Sequence, residues 1–142
     1  MKQNRRESRK TAFCLLFEWS FKPDETLEDV IKQAELGHEL EVDEFGRSLC
    51  ARALEHVDDL DKLIEKYSDS WKLSRLSRVT LAALRLAFCE MELFDDIPAG
   101  ATINEAVELV KTYGTQDEAA YINGILGTFV REKEAEKSEA GG

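Results

Sequence analysis

Only two prolines and 8 glycines occur in 142 residues, too few for a loop-rich or collagen-like chain. Long apolar runs are also missing. Arg85, Glu90 and Glu92 break the richest stretch before it reaches the roughly 18 residues of a membrane span, so no membrane partner is expected. Cys14, Cys50 and Cys89 are odd in number and widely spaced, with no C-x-x-C pair and no signal-peptide pattern, which points to reduced core thiols in a cytoplasmic protein. Of the two histidines, His38 is followed by Glu39, but Val42 stands where a second zinc-binding histidine would be needed; His56 is isolated. There is no phosphate-cradling glycine motif and no nucleophile elbow. Asp58, Asp59 and Asp61 fall at a helix start, where dipole and capping roles suit them better than metal ligation. Enzymatic activity, metals and cofactors are therefore not expected.

Positive charge is scarce as well: 19 Lys+Arg stand against 29 Asp+Glu, for a net charge of −10. A phosphate backbone is bound chiefly by Lys and Arg, so the sum argues against nucleic acid. The distribution argues otherwise. Lys2, Arg5, Arg6, Arg9 and Lys10 against Glu7 give the first ten residues +4, which leaves −14 on the rest. The basic charge is concentrated in a segment over 1–10, ahead of a domain over 11–130 and a charged tail over 131–142.

With 43% hydrophobic residues in an almost uniformly helical period, the chain reads as an all-α bundle of about seven helices. The first runs from about Glu7 to Phe21 and stops at Pro23; Asp24 is expected to cap the second, Glu25 to Leu36. The third runs from about Asp43 to Val57 and the fourth from Leu60 to Tyr67, before a turn around Ser68, Asp69 and Ser70. The fifth, about Leu76 to Phe94, is apolar nearly all round and reads as the central helix, with Arg78, Arg85, Cys89 and Glu92 as a polar stripe. Two capping boxes follow, Thr102 with Glu105 and Thr115 with Glu118, each predicting a helix start. Gly114 is expected to close the sixth helix in a left-handed conformation. No apolar period follows Val130, so the end is expected to be a frayed, solvated tail.

Two features are not used up by folding. At 100° per residue, Arg6, Lys10, Phe13 and Phe17 form one stripe of the first helix, setting cations beside aromatic rings as a single-stranded RNA surface does. The alternative is that both rings belong to the core. In the last helix, Ile122, Ile125, Leu126, Phe129 and Val130 mark the core face, which leaves Tyr121 on the flank and Asp117 opposite the core. Gly124 and Gly127 each cost roughly 1 kcal/mol relative to alanine in a helix interior, so either tight helix packing or a ligand should offset them.

The run Ile103-Asn104-Glu105-Ala106-Val107-Glu108-Leu109-Val110-Lys111, then Tyr113-Gly114, then Tyr121-Ile122-Asn123-Gly124-Ile125-Leu126, resembles the C-terminal signature of the NusB family of bacterial transcription antitermination factors. Arg9 with Ala12, Leu15, Leu16 and Trp19 resembles that family's first helix, and Leu84-Arg85-Leu86-Ala87 with Glu90 its central one. The resemblance implies two small helical subdomains and a non-catalytic RNA-binding adaptor. It would bind boxA-type single-stranded RNA of ribosomal RNA leader transcripts together with the ribosomal protein NusE, and help assemble an antitermination complex on RNA polymerase. Carried over by position, the arginine-rich segment falls on Arg5, Arg6, Arg9 and Lys10, and the acidic and base-stacking residues of the last helix on Asp117 and Tyr121. The ribosomal-protein surface, built on a tyrosine and a carboxylate in relatives, falls on Phe17 and Thr80. Glu7 interrupts the basic run. Family members include monomers and homodimers, so a homodimer is compatible with the resemblance. The rival reading is a helical protein-protein adaptor with a merely solvated arm; an accessory domain of an RNA-modifying enzyme is disfavoured because the chain leaves no room for a catalytic domain.

Overall fold

Asn4 accepts a hydrogen bond from the Glu7 N–H at 2.9 Å and so starts the first helix two residues earlier than expected. In this computed structural model, residues 4–37, 41–68 and 75–141 are described. Lys2, His38 and the turn at Asp69 and Ser70 lie outside them.

The described residues form α1 (Arg5–Phe21), α2 (Leu27–Leu36), α3 (Glu44–Glu55), α4 (Val57–Tyr67), α5 (Arg78–Leu93), α6 (Ala99–Tyr113) and α7 (Gln116–Gly141). The fold class expected from the apolar period, all-α with seven helices, is the one observed. Most starts have a chemical cause in the sequence: Thr26, Asp43 and Ser77 each accept a hydrogen bond from the N–H three residues on. Thr26 rather than Asp24 therefore caps α2.

α5 lies at the centre, packed by α1, α3, α4, α6 and α7. Leu84, Leu86, Ala87, Phe88 and Cys89 are all buried, as an almost wholly apolar circumference demands. Phe88 meets Phe129 of α7 edge to face at 4.9 Å, which ties the last helix to the core. Cys50 and Cys89 are thiols inside this core, and burial pushes both up to about 12, so they are packing groups rather than nucleophiles.

Four expectations are corrected. α6 begins at Ala99 behind Pro98, so Thr102 is not a cap; it lies buried in the first turns and donates to Glu90 at 3.0 Å. Gly114 has φ −124° and ψ −141°, not a left-handed conformation. A Cβ there would stand 2.9 Å from Glu118 and 3.1 Å from the Val110 carbonyl, so glycine is needed for close approach instead. The charged end is helical through Gly141 rather than frayed. Glu, Ala and Lys are good helix formers, and Lys133 pairs with Glu92 of α5 at 3.7 Å. Asp61, finally, is not a helix-start group: it lies beyond the first turn of α4 and holds the Arg85 guanidinium through two bonds of 2.8 and 2.9 Å. Half of the polar stripe of α5 is thus internal, with Arg85 and Cys89 both buried.

The second capping box is as expected. The Glu118 N–H donates to Thr115 Oγ1 at 3.1 Å, and the Thr115 N–H to Glu118 Oε1 at 3.0 Å.

Candidate nucleic-acid interface

Within the described residues the basic segment is not an arm: Arg5–Lys10 form the first turns of α1. Arg5 and Arg6 occupy its opening turn, the positive end of the helix dipole, where cations are disfavoured; Glu7 sits where the dipole favours an acid. Glu7 is thereby explained as a helix-start residue.

The basic side chains divide into two groups. Arg6 is exposed and donates to the Glu105 carboxylate on α6 through Nε and Nη2, at 3.1 to 3.3 Å. Arg5 lies over the Phe45 ring at 3.8 Å, with Asp96 at 3.9 Å, and Lys10 is exposed. Arg9 points inward. It is only 7% exposed, and its Nε reaches both Glu90 carboxylate oxygens at 3.0 Å, with Thr102 completing the cluster. The expectation that Arg9 faces phosphate is therefore corrected: its guanidinium balances a buried carboxylate.

Phe13 is likewise core, 2% exposed and stacked under Tyr113 at 5.3 Å. Of the expected stripe, Arg6 and Lys10 remain at the surface and Phe17 is half-buried. Phe17 meets Phe21 edge to face at 5.1 Å. Phe21 is 53% exposed and carries the Arg78 guanidinium at 4.3 Å, while Arg78 Nη1 donates to the Ser20 carbonyl at 2.6 Å. Phe17, Phe21 and Arg78 make an exposed aromatic and cationic patch where α1 ends and α5 begins. Phe21 and Arg78 were missed as site residues; the F-x-x-x-F spacing with an exposed last turn before Pro23 was the available signal.

Thr80 does not belong to that surface. It is 2% exposed, and its hydroxyl donates to Glu118 Oε2 at 2.9 Å, beside Ser77, which donates to the same oxygen. Hydrogen bonds from Ser77, then Thr80 and Thr115, hold the Glu118 carboxyl below its ordinary value, against the opposing effect of burial.

On α7, Asp117 is exposed in the first turn, and Tyr121 follows one turn later on the same side. The Tyr121 hydroxyl donates to the Ser68 carbonyl at the end of α4, at 3.2 Å, so the ring is tethered at its tip. Arg9 meets α5 at Glu90 and Glu118 meets it at Thr80. Ten helical residues separate those levels, about 15 Å at 1.5 Å per residue.

Among the described residues no cluster of three or more His, Cys, Asp or Glu could hold a metal ion, and no helix is long and apolar enough to cross a membrane.

A profile of the NusB family matches residues 6–131. Among curated relatives, the transcription antitermination protein NusB of Thermoanaerobacter sp. (strain X514) is 37% identical over 140 residues, covering 96% of this chain and 97% of that protein. That of Natranaerobius thermophilus is 39% identical, over 87% of this chain and 91% of its own. Among solved structures, NusB of T. maritima is 36% identical with a TM-score of 0.79, covering 93% and 94% of the two chains. A chain from a crystal structure of the antitermination factors NusB and NusE in complex with dsRNA is 26% identical with a TM-score of 0.81, over 93% and 99%. Sequence and fold agree over nearly the whole length of each relative: the chain belongs to the NusB family, one of transcription antitermination proteins and not of enzymes.

Proposed function

We propose that this protein is an RNA-binding adaptor of transcription antitermination. It binds boxA-type single-stranded RNA of ribosomal RNA leader transcripts together with the ribosomal protein NusE, and helps assemble an antitermination complex on RNA polymerase. The observation that carries this reading is the pair of RNA-suited features, exposed cations on α1 and a half-buried, tethered tyrosine on α7, on a fold shared with a NusB crystallised with NusE and dsRNA.

Arg5, Arg6 and Lys10 take phosphates, and Tyr121 stacks one base, worth about 1 to 3 kcal/mol. Asp117, exposed one turn before Tyr121, accepts hydrogen bonds from base amino groups and repels misplaced phosphate. Arg9 acts behind the surface, fixing the first turns of α1 through Glu90. The Phe17, Phe21 and Arg78 patch receives the ribosomal protein, while Thr80 supports that end of α5 through Glu118.

The acidic body, −10 overall, opposes nonspecific RNA binding, so a basic partner bound alongside supplies both phosphate contacts and charge compensation. Titrating a boxA-type RNA at several salt concentrations, with and without the ribosomal protein, tests this. Expected are salt-sensitive binding and an affinity gain above about twofold with the partner. Binding that is absent, or flat with salt, would favour a protein-protein adaptor without direct RNA contact.

A further inference from the structure

Among the described residues nothing in the packing requires glycine at position 124. It lies in the interior of α7, where glycine is the poorest helix former after proline. Its backbone does not occupy the left-handed region, and a Cβ built on it would meet nothing within 4 Å among the described residues. Gly127 differs only in that a Cβ there would touch the flexible end of Arg131, at 3.3 Å. Alanine at 124 would therefore fit and favour the helix, so tight helix packing does not account for the glycine.

What Gly124 does is form part of the wall of an open cleft of about 510 Å³ between α4 and α7, together with Tyr121, Lys66, Tyr67, Thr128 and Glu132. The two sides differ in charge. Lys66 presents its ammonium 5.3 Å above the Tyr67 ring. Glu132 lines the far end, its carboxylate near the Tyr67 hydroxyl. A phosphate is attracted at Lys66 and repelled at Glu132, while a flat ring can lie against the bare backbone at Gly124, one turn beyond the Tyr121 ring.

We infer that Gly124 and Lys66 form a slot for a second unpaired RNA base and its phosphate, next to the base stacked on Tyr121. The slot rests on the RNA-binding reading above and adds a site beyond the residues that reading uses. A side chain at position 124 would occupy the space the base needs, which gives glycine a function there.

The test separates stability from binding. In the full-length protein, Gly124→Ala should raise the thermal midpoint, because it improves helix propensity in open space, and yet weaken single-stranded boxA-type RNA about fivefold, the lower end of one stacked base. Gly124→Leu should weaken it further, and Lys66→Ala should weaken binding and flatten its salt dependence. Gly127→Ala, in the same helix but outside the cleft, should leave RNA affinity unchanged. Annealing the RNA to its complement should abolish the effect of Gly124→Ala, since the slot takes an unpaired base. Unaltered single-strand affinity in Gly124→Ala and Gly124→Leu, or a loss confined to binding of the ribosomal protein, would overturn the slot. Failure of the unsubstituted protein to bind RNA at all would instead overturn the proposed function.

Discussion

Arg6 and Arg9 stand three residues apart on α1, and each holds a glutamate far away in sequence, yet the two pairs behave as opposites. Arg9 and Glu90 are sealed, with Thr102 as a third partner. Removing one member leaves a charge in the core without its counter-charge. Arg6 and Glu105 meet at the surface, where water and salt weaken the pair and where another anion can take the place of the carboxylate. A cation that can exchange partners is available to RNA; one that cannot is part of the scaffold. On the proposed function, the run Arg5–Lys10 thus divides between RNA binding and scaffold.

The largest effect expected from this contrast is on stability. Arg9→Ala should destabilise the domain by about 3 to 5 kcal/mol in urea unfolding, by stranding Glu90. The combined Arg9→Met, Glu90→Leu replacement should recover most of that loss, because two matched apolar groups need no counter-charge. It should also keep RNA affinity within about twofold if Arg9 makes no phosphate contact, since a lost contact costs more than this. A tenfold loss in a well-folded double variant would return Arg9 to the RNA site.

Next in size, Tyr121→Ala should cost about 1 to 3 kcal/mol of RNA binding, whereas Tyr121→Phe keeps the ring and should retain most affinity. A stable Tyr121→Ala protein with unaltered binding would remove the residue from the site. Thr80→Val should cost about 1 kcal/mol of stability through the lost bond to Glu118 and leave RNA affinity alone.

Acid should weaken the same clamp. The folded value of Glu118 lies below its ordinary 4.5, so the stabilisation is fully present above about pH 4.5 and is lost as pH falls through the depressed value. Unfolding measured from pH 6 down to pH 3 should therefore show a shallower acid decline in Thr80→Val than in the unsubstituted protein. The smallest effect belongs to the surface pair. Glu105→Gln frees Arg6 and should raise RNA affinity about two- to fivefold, the range of an exposed ion pair.

Much of the fold was legible because it rests on local chemistry. The helical period marked all seven helices, and the Thr115–Glu118 box and the apolar circumference of α5 are both realised as expected. Where a local signal had two outcomes, the sequence misled. Thr102-x-x-Glu105 has the form of a capping box, but Pro98 starts the helix earlier and leaves the threonine free to turn to Glu90. Asn4-x-x-Glu7 had the same form and was a true start. Burial of a charge was the least legible property. Nothing local distinguishes Arg9, whose partner lies 81 positions away, from Arg6, whose partner lies 99 away. The resemblance to relatives likewise places Thr80 on a docking surface, but a short hydroxyl cannot reach outward as a carboxylate does, and here it turns inward to Glu118.

The central claim is that exposed cations of α1 neutralise RNA phosphates, and the most direct measurement is the salt dependence of single-stranded RNA affinity in the unsubstituted protein and in Arg5→Ala with Arg6→Ala. Each lost phosphate contact should reduce the slope of log affinity against log salt by about 0.7, so the double variant should bind more weakly with a visibly flatter slope. An identical slope in the two proteins would contradict the account, because it would mean that neither arginine meets a phosphate.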